Sequence, residues 1–396
     1  MTGAKRQTGG ITRHYLLAAG GTGGHMMPAY ALAGELIARG HRVALISDDR
    51  GVRFGTPPDG LDVHILPAGR PGGGILGYVR AARGIWRGRA QAIELARSFG
   101  PSAVIGFGGY PALPALLAAR NLGIRALVHE QNAVLGRVNR LVARQVAAIA
   151  TAYKNVARIP AAAASRVALV GNPVREEILA LRAEPFPAVD GEGIFRLLIT
   201  GGSQAASVFA DVVPEALSLL PLHFRQRLQV TQQCRAEDVE RVRAQYQSFG
   251  IPADISTFIN DMAEKLHWSH LVIARAGAST IAELTCVGRP AILVPLPSAM
   301  DDHQSHNVRE MVEAGGARAI AQDRFTPVEL AKQMQRLAME PEALLSAAAR
   351  ARSVGRPDAT RDLADLVEQG GGAPIADVLG ASAKRARHAR LAGAAS

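Results

Sequence analysis

The chain reads as an α/β protein built from two Rossmann-like, doubly wound parallel-sheet domains facing a cleft. Three observations predict this. Three glycine-rich loops each follow an apolar run and open a segment of helical period. Short β-runs and helical-period segments alternate along most of the sequence, the pattern of parallel sheets with helices on both faces. The length of 396 residues with 48% hydrophobic side chains is enough for two ordinary cores.

Taken in order, the first run is His14, Tyr15, Leu16, Leu17, Ala18 and Ala19, followed by Gly20, Gly21, Thr22, Gly23, Gly24 and His25 and a periodic stretch over 30–39. Residues 42–47 read as the next strand. The second loop unit is the strand 102–105, then Gly106, Phe107, Gly108, Gly109 and Tyr110, then a helical segment over 113–120. Residues 126–129 and 147–151 read as further strands of the first domain. Periodicity breaks over 171–193, where Asn172 and Pro173, Pro185, Pro187, and Asp190 and Gly191 occur, so the domain boundary is expected there. The third unit is the strand 196–200, then Gly201, Gly202, Ser203 and Gln204, then a helix over 205–220. Strands at 229–231, 255–258, 271–274 and 291–295 complete the second domain. The expected organisation is a tail over 1–13, domains over 14–175 and 194–369, a linker over 176–193, and a flexible basic tail over 370–396.

A strand that turns tightly into a helix leaves backbone N–H groups pointing outward at the positive end of the helix dipole, which suits a phosphate. Three such loops, divided between two domains, point to a shared phosphorylated ligand. A dinucleotide fingerprint is excluded by spacing. Counted from Gly21, the third position is Gly23 but the sixth is Met26, although Asp48 and Asp49 end the next strand where a ribose partner would stand. His25, at a helix start with an ordinary pKa near 6.5, is a candidate to take a proton from a hydroxyl or a helix-terminal His bonded to the backbone. Small residues over 275–282 allow close backbone approach. Glu283, one turn after Ser279, could accept from vicinal ribose hydroxyls or simply complement the helix dipole. Asp301, Asp302 and His303 make a poor metal cage, and no Asp-x-Asp pair is present, so no metal is expected. All these segments fall at the carboxyl ends of strands, where doubly wound sheets bind ligands.

The net charge of +11 and pI near 10.3 raise the possibility of a nucleic-acid partner. Part of the excess sits in the tails, at Lys5, Arg6 and Arg13 and at Lys384, Arg385, Arg387 and Arg390. The remaining arginines are scattered among glycine-rich turns without interleaved aromatics, so no nucleic acid is expected. No apolar run approaches the roughly 18 residues of a membrane span, and the first run is cut by glycines as a signal peptide would not be. Cys234 and Cys286 stand too far apart for a zinc or disulfide framework, which favours a reducing cytoplasm.

Eight segments occur in one order. They are 20–25, Gly106 to Tyr110, His129-Glu130-Gln131-Asn132, Gly171-Asn172-Pro173-Val174-Arg175, 201–204, Phe258-Ile259-Asn260-Asp261-Met262, 275–283 and Asp302-His303-Gln304. Together they resemble the MurG family of GT-B glycosyltransferases, over roughly residues 14–365. The resemblance implies transfer of N-acetylglucosamine from UDP-GlcNAc to undecaprenyl-diphosphate-linked N-acetylmuramoyl-pentapeptide (lipid I), giving lipid II. It implies no cofactor. By that likeness Ile259 binds uracil through its backbone and Glu283 the ribose. Arg175, Ser203 and the helix start at Ala278, Ser279, Thr280, Ile281 and Ala282 surround the diphosphate, and Asn132 and Gln304 hold the sugar hydroxyls. Thr22, Gly23 and Gly24 line the sugar and acceptor side, Gly108, Gly109 and Tyr110 form the acceptor loop, and His25 is the candidate base. Two positions depart from the family pattern: Ala205 replaces a usual Gly, and Met26 with Met27 replaces a branched or aromatic pair. The alternative within the same fold is a GT-B enzyme with another lipid or small-molecule acceptor.

A prenyl-linked acceptor implies a peripheral enzyme on the cytoplasmic face of the plasma (inner) membrane, where other cell-wall synthesis proteins are possible partners. The segment over 72–89 reads either as a contact with anionic lipid, with Ile75, Leu76, Tyr78, Val79, Ile85 and Trp86 inserting and Arg80, Arg83, Arg87 and Arg89 meeting headgroups, or as a core helix with a solvated basic face; the lipid contact is the expectation.

Overall fold

The computed structural model describes residues 11–67, 69, 74–189, 192–202, 205–338 and 340–370, without the side chains of Ile75, Leu76, Tyr78, Arg80, Leu337 and Ala338. Ser203 and the 371–396 tail lie outside the described residues. Seven parallel strands form the first sheet: β1 (His14–Ala18), β2 (Arg42–Ser47), β3 (Asp62–Ile65), β4 (Ala103–Gly106), β5 (Ala126–Glu130), β6 (Ala148–Thr151) and β7 (Val167–Leu169). Six form the second: β8 (Phe195–Thr200), β9 (Leu228–Gln233), β10 (Ala253–Ser256), β11 (Leu271–Ala274), β12 (Ala291–Leu293) and β13 (Ala317–Ala319).

The strand orders are β3-β2-β1-β4-β5-β6-β7 and β10-β9-β8-β11-β12-β13. In each sheet the first strand in the chain is central and the order reverses beside it, the arrangement that opens a crevice at the carboxyl ends. Both faces of each sheet are covered, so neighbouring strand residues go to different cores. Tyr15 and Leu17 pack with Met26, Leu32 and Leu36 on one face, and Leu16 and Ala18 with Val104, Leu113 and Leu116 on the other. Leu197 and Ile199 divide from Leu198 in the same way in the second domain.

The sequence reading passed over three edge strands, β3, β7 and β13. They are three or four residues long and partly exposed, too short to carry a pattern that marks a strand. The segment 176–193 contains the helix Glu176–Ala180, whose Ile178 is buried in a second-domain core together with Val174. The helix Ala359–Gly370 returns to the first domain, where Leu363, Ala364, Leu366 and Val367 join the core around Leu17 and Leu36. Arg39 there pairs with Asp365 and Glu368, each at 2.7 Å. The expected span 194–369 therefore ends in a helix that belongs by packing to the first domain.

Candidate functional site

The first-domain side of the cleft begins with the turn after β1. Asp48, at the end of β2, accepts the N–H groups of Gly21 and Gly51 on Oδ1, both at 2.9 Å, and holds Arg50 on Oδ2. Burial works to raise its pKa, but Arg50 and the two N–H donors outweigh it and hold the carboxyl below the ordinary value. Asp48 is thus committed to shaping the loop, which accounts for an acid at the ribose position of a failed dinucleotide fingerprint. A Cβ at Gly20 would lie 2.7 Å from Asp48 Oδ1, so the loop closes only over glycine.

Thr22 caps the helix Gly23–Ala38, and His25 sits in its first turn. Nδ1 of His25 lies 3.1 Å from the Gly20 carbonyl oxygen and 3.2 Å from Thr22 Oγ1. A carbonyl can only accept, so the proton is on Nδ1 and the Nε2 lone pair is available. Burial lowers the His25 pKa, and His303 of the second domain lowers it further. The ring lies over the second glycine loop, where Gly108 and Gly109 have φ of 85° and 72°. A Cβ at Gly109 would stand 3.1 Å from the Gly20 oxygen and 3.3 Å from His25 Nδ1, so both the backbone conformation and the ring's position require glycine there. Tyr110 is half-buried against the first-domain core.

The turn after β5 is organised by Glu130. Its buried carboxylate accepts the N–H of Asn132 at 3.0 Å and of Gly136 at 2.8 Å, and the Asn139 amide at 2.9 Å. Burial raises the Glu130 pKa and these donors oppose the rise. His129 is fully buried, donates from Nε2 to the Gly171 carbonyl at 2.9 Å, and has its pKa pushed down to about 4 by burial. It is a neutral packing group that links β5 to the domain crossing. Asn132 donates to Glu130 and accepts from Asn307 of the second domain at 3.1 Å.

On the second-domain side, Gly277 caps the helix Ala278–Val287, leaving its first-turn N–H groups open. Ser279 Oγ is buried without a partner, Thr280 and Ala282 are half-buried, Ile281 is buried, and Ala278 packs on Ala133, Ala152 and Tyr153 of the first domain. Glu283 Oε1 accepts Arg175 Nη2 at 2.9 Å and Nε at 3.2 Å. Burial raises the Glu283 pKa and Arg175 opposes it. The sequence reading put Glu283 at the ribose and Arg175 at the diphosphate; here they hold each other. Ile259 is buried against Leu266 and Val272 at the exit of β10. Gln304 accepts the N–H groups of Ala276 and Leu296 on Oε1, at 3.1 and 3.0 Å, so only its amide nitrogen is left to address a ligand. Asp302 accepts from Ser305 Oγ and His303 donates to the Met300 carbonyl, so both are turned into their own loop. Ala205 holds φ of 49°, the left-handed conformation that explains why glycine suits this position.

Four contributors escaped sequence reading: Asn307, Gln233, and the pairing of Arg140 and Arg158 with Asp301. Gln233 accepts from Thr200 Oγ1 and the Gly201 N–H and donates to the Thr257 carbonyl, fastening the ends of three strands. No local motif marks these residues. The expected membrane segment is the start of the helix Gly74–Phe99. Trp86 and Val79 are 68% and 44% exposed, and Arg83 and Arg87 share their face. Ile85 is instead half-buried against the core, and the side chains of Ile75, Leu76 and Arg80 lie outside the described residues. No described helix is long and apolar enough to cross a membrane.

Two doubly wound domains with the same strand order, meeting at their carboxyl ends around helix N-termini, define the GT-B class of nucleotide-sugar enzymes. The glycosyltransferase family 28 N-terminal domain matches residues 15–151 and the C-terminal domain of that family residues 196–366. The UDP-N-acetylglucosamine–N-acetylmuramyl-(pentapeptide) pyrophosphoryl-undecaprenol N-acetylglucosamine transferase of Zymomonas mobilis is 60% identical over 361 residues, 91% of this chain and 93% of its own. The transferase of the same name from Rhodospirillum rubrum is 50% identical, covering 89% and 91%. A crystal structure of MurG from Acinetobacter baumannii superposes with a TM-score of 0.73 at 31% identity, covering 90% of this chain and 99% of that one. A putative UDP-N-acetylglucosamine 2-epimerase from Listeria monocytogenes shares the fold at 15% identity and a TM-score of 0.63. The chain belongs to glycosyltransferase family 28 and, within it, to the MurG family.

Proposed function

We propose that the protein transfers N-acetylglucosamine from UDP-GlcNAc to the 4-hydroxyl of the N-acetylmuramoyl-pentapeptide of lipid I, with inversion, to form lipid II. The observation that carries this reading at the level of chemistry is His25. Its Nδ1 proton is committed to Gly20, its Nε2 is free, and His303 approaches from the other domain. The acceptor oxygen attacks the anomeric carbon opposite the UDP, its proton passes to His25 Nε2, and the bond to the diphosphate breaks. The charge on departing UDP is met by the open N–H groups at Ala278, Ser279 and Thr280 and by Arg175, preorganised groups that need no metal. Ser203, from the loop after β8, joins them in this reading. Glu283 keeps one carboxylate oxygen for the ribose, and Ile259 offers backbone to the uracil. Gln304 donates to a sugar hydroxyl, because its carbonyl is already occupied. Asn132 adds its remaining amide hydrogen.

The enzyme in this reading works peripherally on the inner face of the plasma membrane, with Val79, Trp86, Arg83 and Arg87 against anionic lipid. The decisive experiment is incubation with UDP-[¹⁴C]GlcNAc and a short-chain lipid I analogue, with and without EDTA. Labelled disaccharide-pentapeptide lipid in both cases is expected. Label on a glycolipid acceptor alone, or dependence on a divalent ion, overturns the proposal. Replacing Trp86 and Val79 with Ser should weaken co-sedimentation with anionic vesicles while leaving turnover of the soluble analogue intact. Unchanged sedimentation removes the patch from the reading.

A further inference from the structure

Asn307 ends the short helix His303–Asn307, one turn after Gln304, and is fully buried where the two domains meet. Its Oδ1 accepts the Ala133 N–H at 2.8 Å. Its Nδ2 donates to Asn132 Oδ1 and to the Ala276 carbonyl, both at 3.1 Å. Asn132 and Ala133 lie in the first-domain turn after β5, whereas Ala276 immediately precedes the Gly277 cap of the helix Ala278–Val287. Gln304 holds the N–H of the same Ala276, so side chains one turn apart fix both backbone polar groups of that residue. Apolar packing flanks the contact, with Ala133, Ala152 and Tyr153 against Ala278. At its rim Asp301 takes Arg140 at 3.3 Å and Arg158 at 2.6 Å, both from the first domain. Asp301 and Asp302 sit at φ of 56° and 54°, a left-handed conformation in which Asp301 is bonded to the first domain and Asp302 to Ser305 of its own loop.

A contact that only glued the domains together would have no reason to end on these two loops. One buried amide joins the turn that carries Asn132 to the backbone that sets the diphosphate-facing helix start. We propose that Asn307 is a positioning residue for the transfer reaction. It brings Asn132 and the first turn of the helix Ala278–Val287 into one frame when the domains close, and Asp301 with Arg140 and Arg158 latches that state from the rim. The inference rests on the transferase reading for its kinetic consequence, but its structural part does not. Once the link is broken, the donor still binds to its own domain, while the sugar is no longer aligned with the acceptor and is less well shielded from water.

The test uses the full-length chain with Asn307→Ala, Asn307→Asp and Arg158→Ala. Small-angle X-ray scattering of the substrate-free proteins reads closure without reference to activity. Steady-state kinetics read kcat and the KM for UDP-GlcNAc, and UDP release without acceptor reads hydrolysis. Asn307→Ala is expected to enlarge the radius of gyration and to lower kcat at least tenfold. Donor KM should stay within threefold, and the ratio of hydrolysis to transfer should rise. Asn307→Asp should be worse, because its carboxylate faces the Asn132 Oδ1 and the Ala276 carbonyl and keeps only the bond from Ala133. If the Asn307 variants do not fold, Arg158→Ala, a rim change at a half-exposed side chain, must move closure and kcat in the same direction by a smaller amount, with that effect fading at high salt. Unchanged scattering and kcat, or a raised donor KM with kcat intact, overturns the proposal. A wild-type protein that transfers no sugar but opens on Asn307→Ala overturns the transferase reading and keeps the latch.

Discussion

Replacement of His25 by Ala removes a base whose protonation the fold has prepared. Burial, reinforced by His303, lowers the pKa from its ordinary 6.5, while the Gly20 carbonyl oxygen 3.1 Å from Nδ1 holds the tautomer that exposes Nε2. With its pKa lowered from the ordinary value, the ring is neutral at pH 8. Nearly every molecule then carries a competent base before the acceptor arrives. A positioned general base contributes a factor of about 10²–10⁴, equivalent to about 3–5 kcal/mol of barrier. His25→Ala should therefore lower kcat at pH 8 by that factor, measured at saturating UDP-GlcNAc with a soluble lipid I analogue, and leave donor KM within threefold. The pH profile supplies a second check. Protonation destroys the base, so wild-type kcat/KM should fall as pH drops through a midpoint below 6.5, and the variant's residual activity should lack that limb. A loss below tenfold, or an acid limb that persists in the variant, would refute the assignment and leave His25 as a loop-packing group.

Glu283→Ala should raise the KM for UDP-GlcNAc at least tenfold, since a charged hydrogen bond to ribose is worth about 1.5–3 kcal/mol, and UDP should lose its thermal protection of the variant in EDTA; unchanged protection would place the ribose elsewhere. Stability should weaken on acidification. His129 binds its proton at about 4 in the folded chain against 6.5 when unfolded, so its contribution is complete above 6.5 and is lost as pH falls from there towards 4. The full loss is about 3 kcal/mol; urea unfolding at several pH values should show it, and His129→Gln should flatten the slope. His270, also pushed down to about 4, adds to the same window, so a slope unaltered by His129→Gln assigns the whole effect elsewhere. Ala205→Gly should stabilise the protein by about 0.5–1 kcal/mol by relieving the left-handed backbone at φ 49°, and a lower Tm would contradict that account.

Much of this architecture was written locally. The apolar runs that became β1, β4, β8 and β11 alternate their side chains between two buried faces, and the turns after β1, β4 and β8 need glycine because positive φ or close packing leaves no room for a Cβ. Those constraints act within a few residues, so they show in the sequence as periodicity and spacing, and the ordered motifs made the family legible. The edge strands β3, β7 and β13 were not legible, because a strand such as Ala317–Ala319 is recruited by its neighbour β12 and carries no pattern of its own. The pairing of Arg175 with Glu283, the meeting of Asn132 with Asn307, and the return of Leu363 and Val367 to the first core join positions more than a hundred residues apart. Such partners are chosen by how finished domains dock. A buried amide or an ion pair looks, in sequence, like any other Asn, Arg or Asp until the tertiary structure brings its counterpart within 3 Å or so.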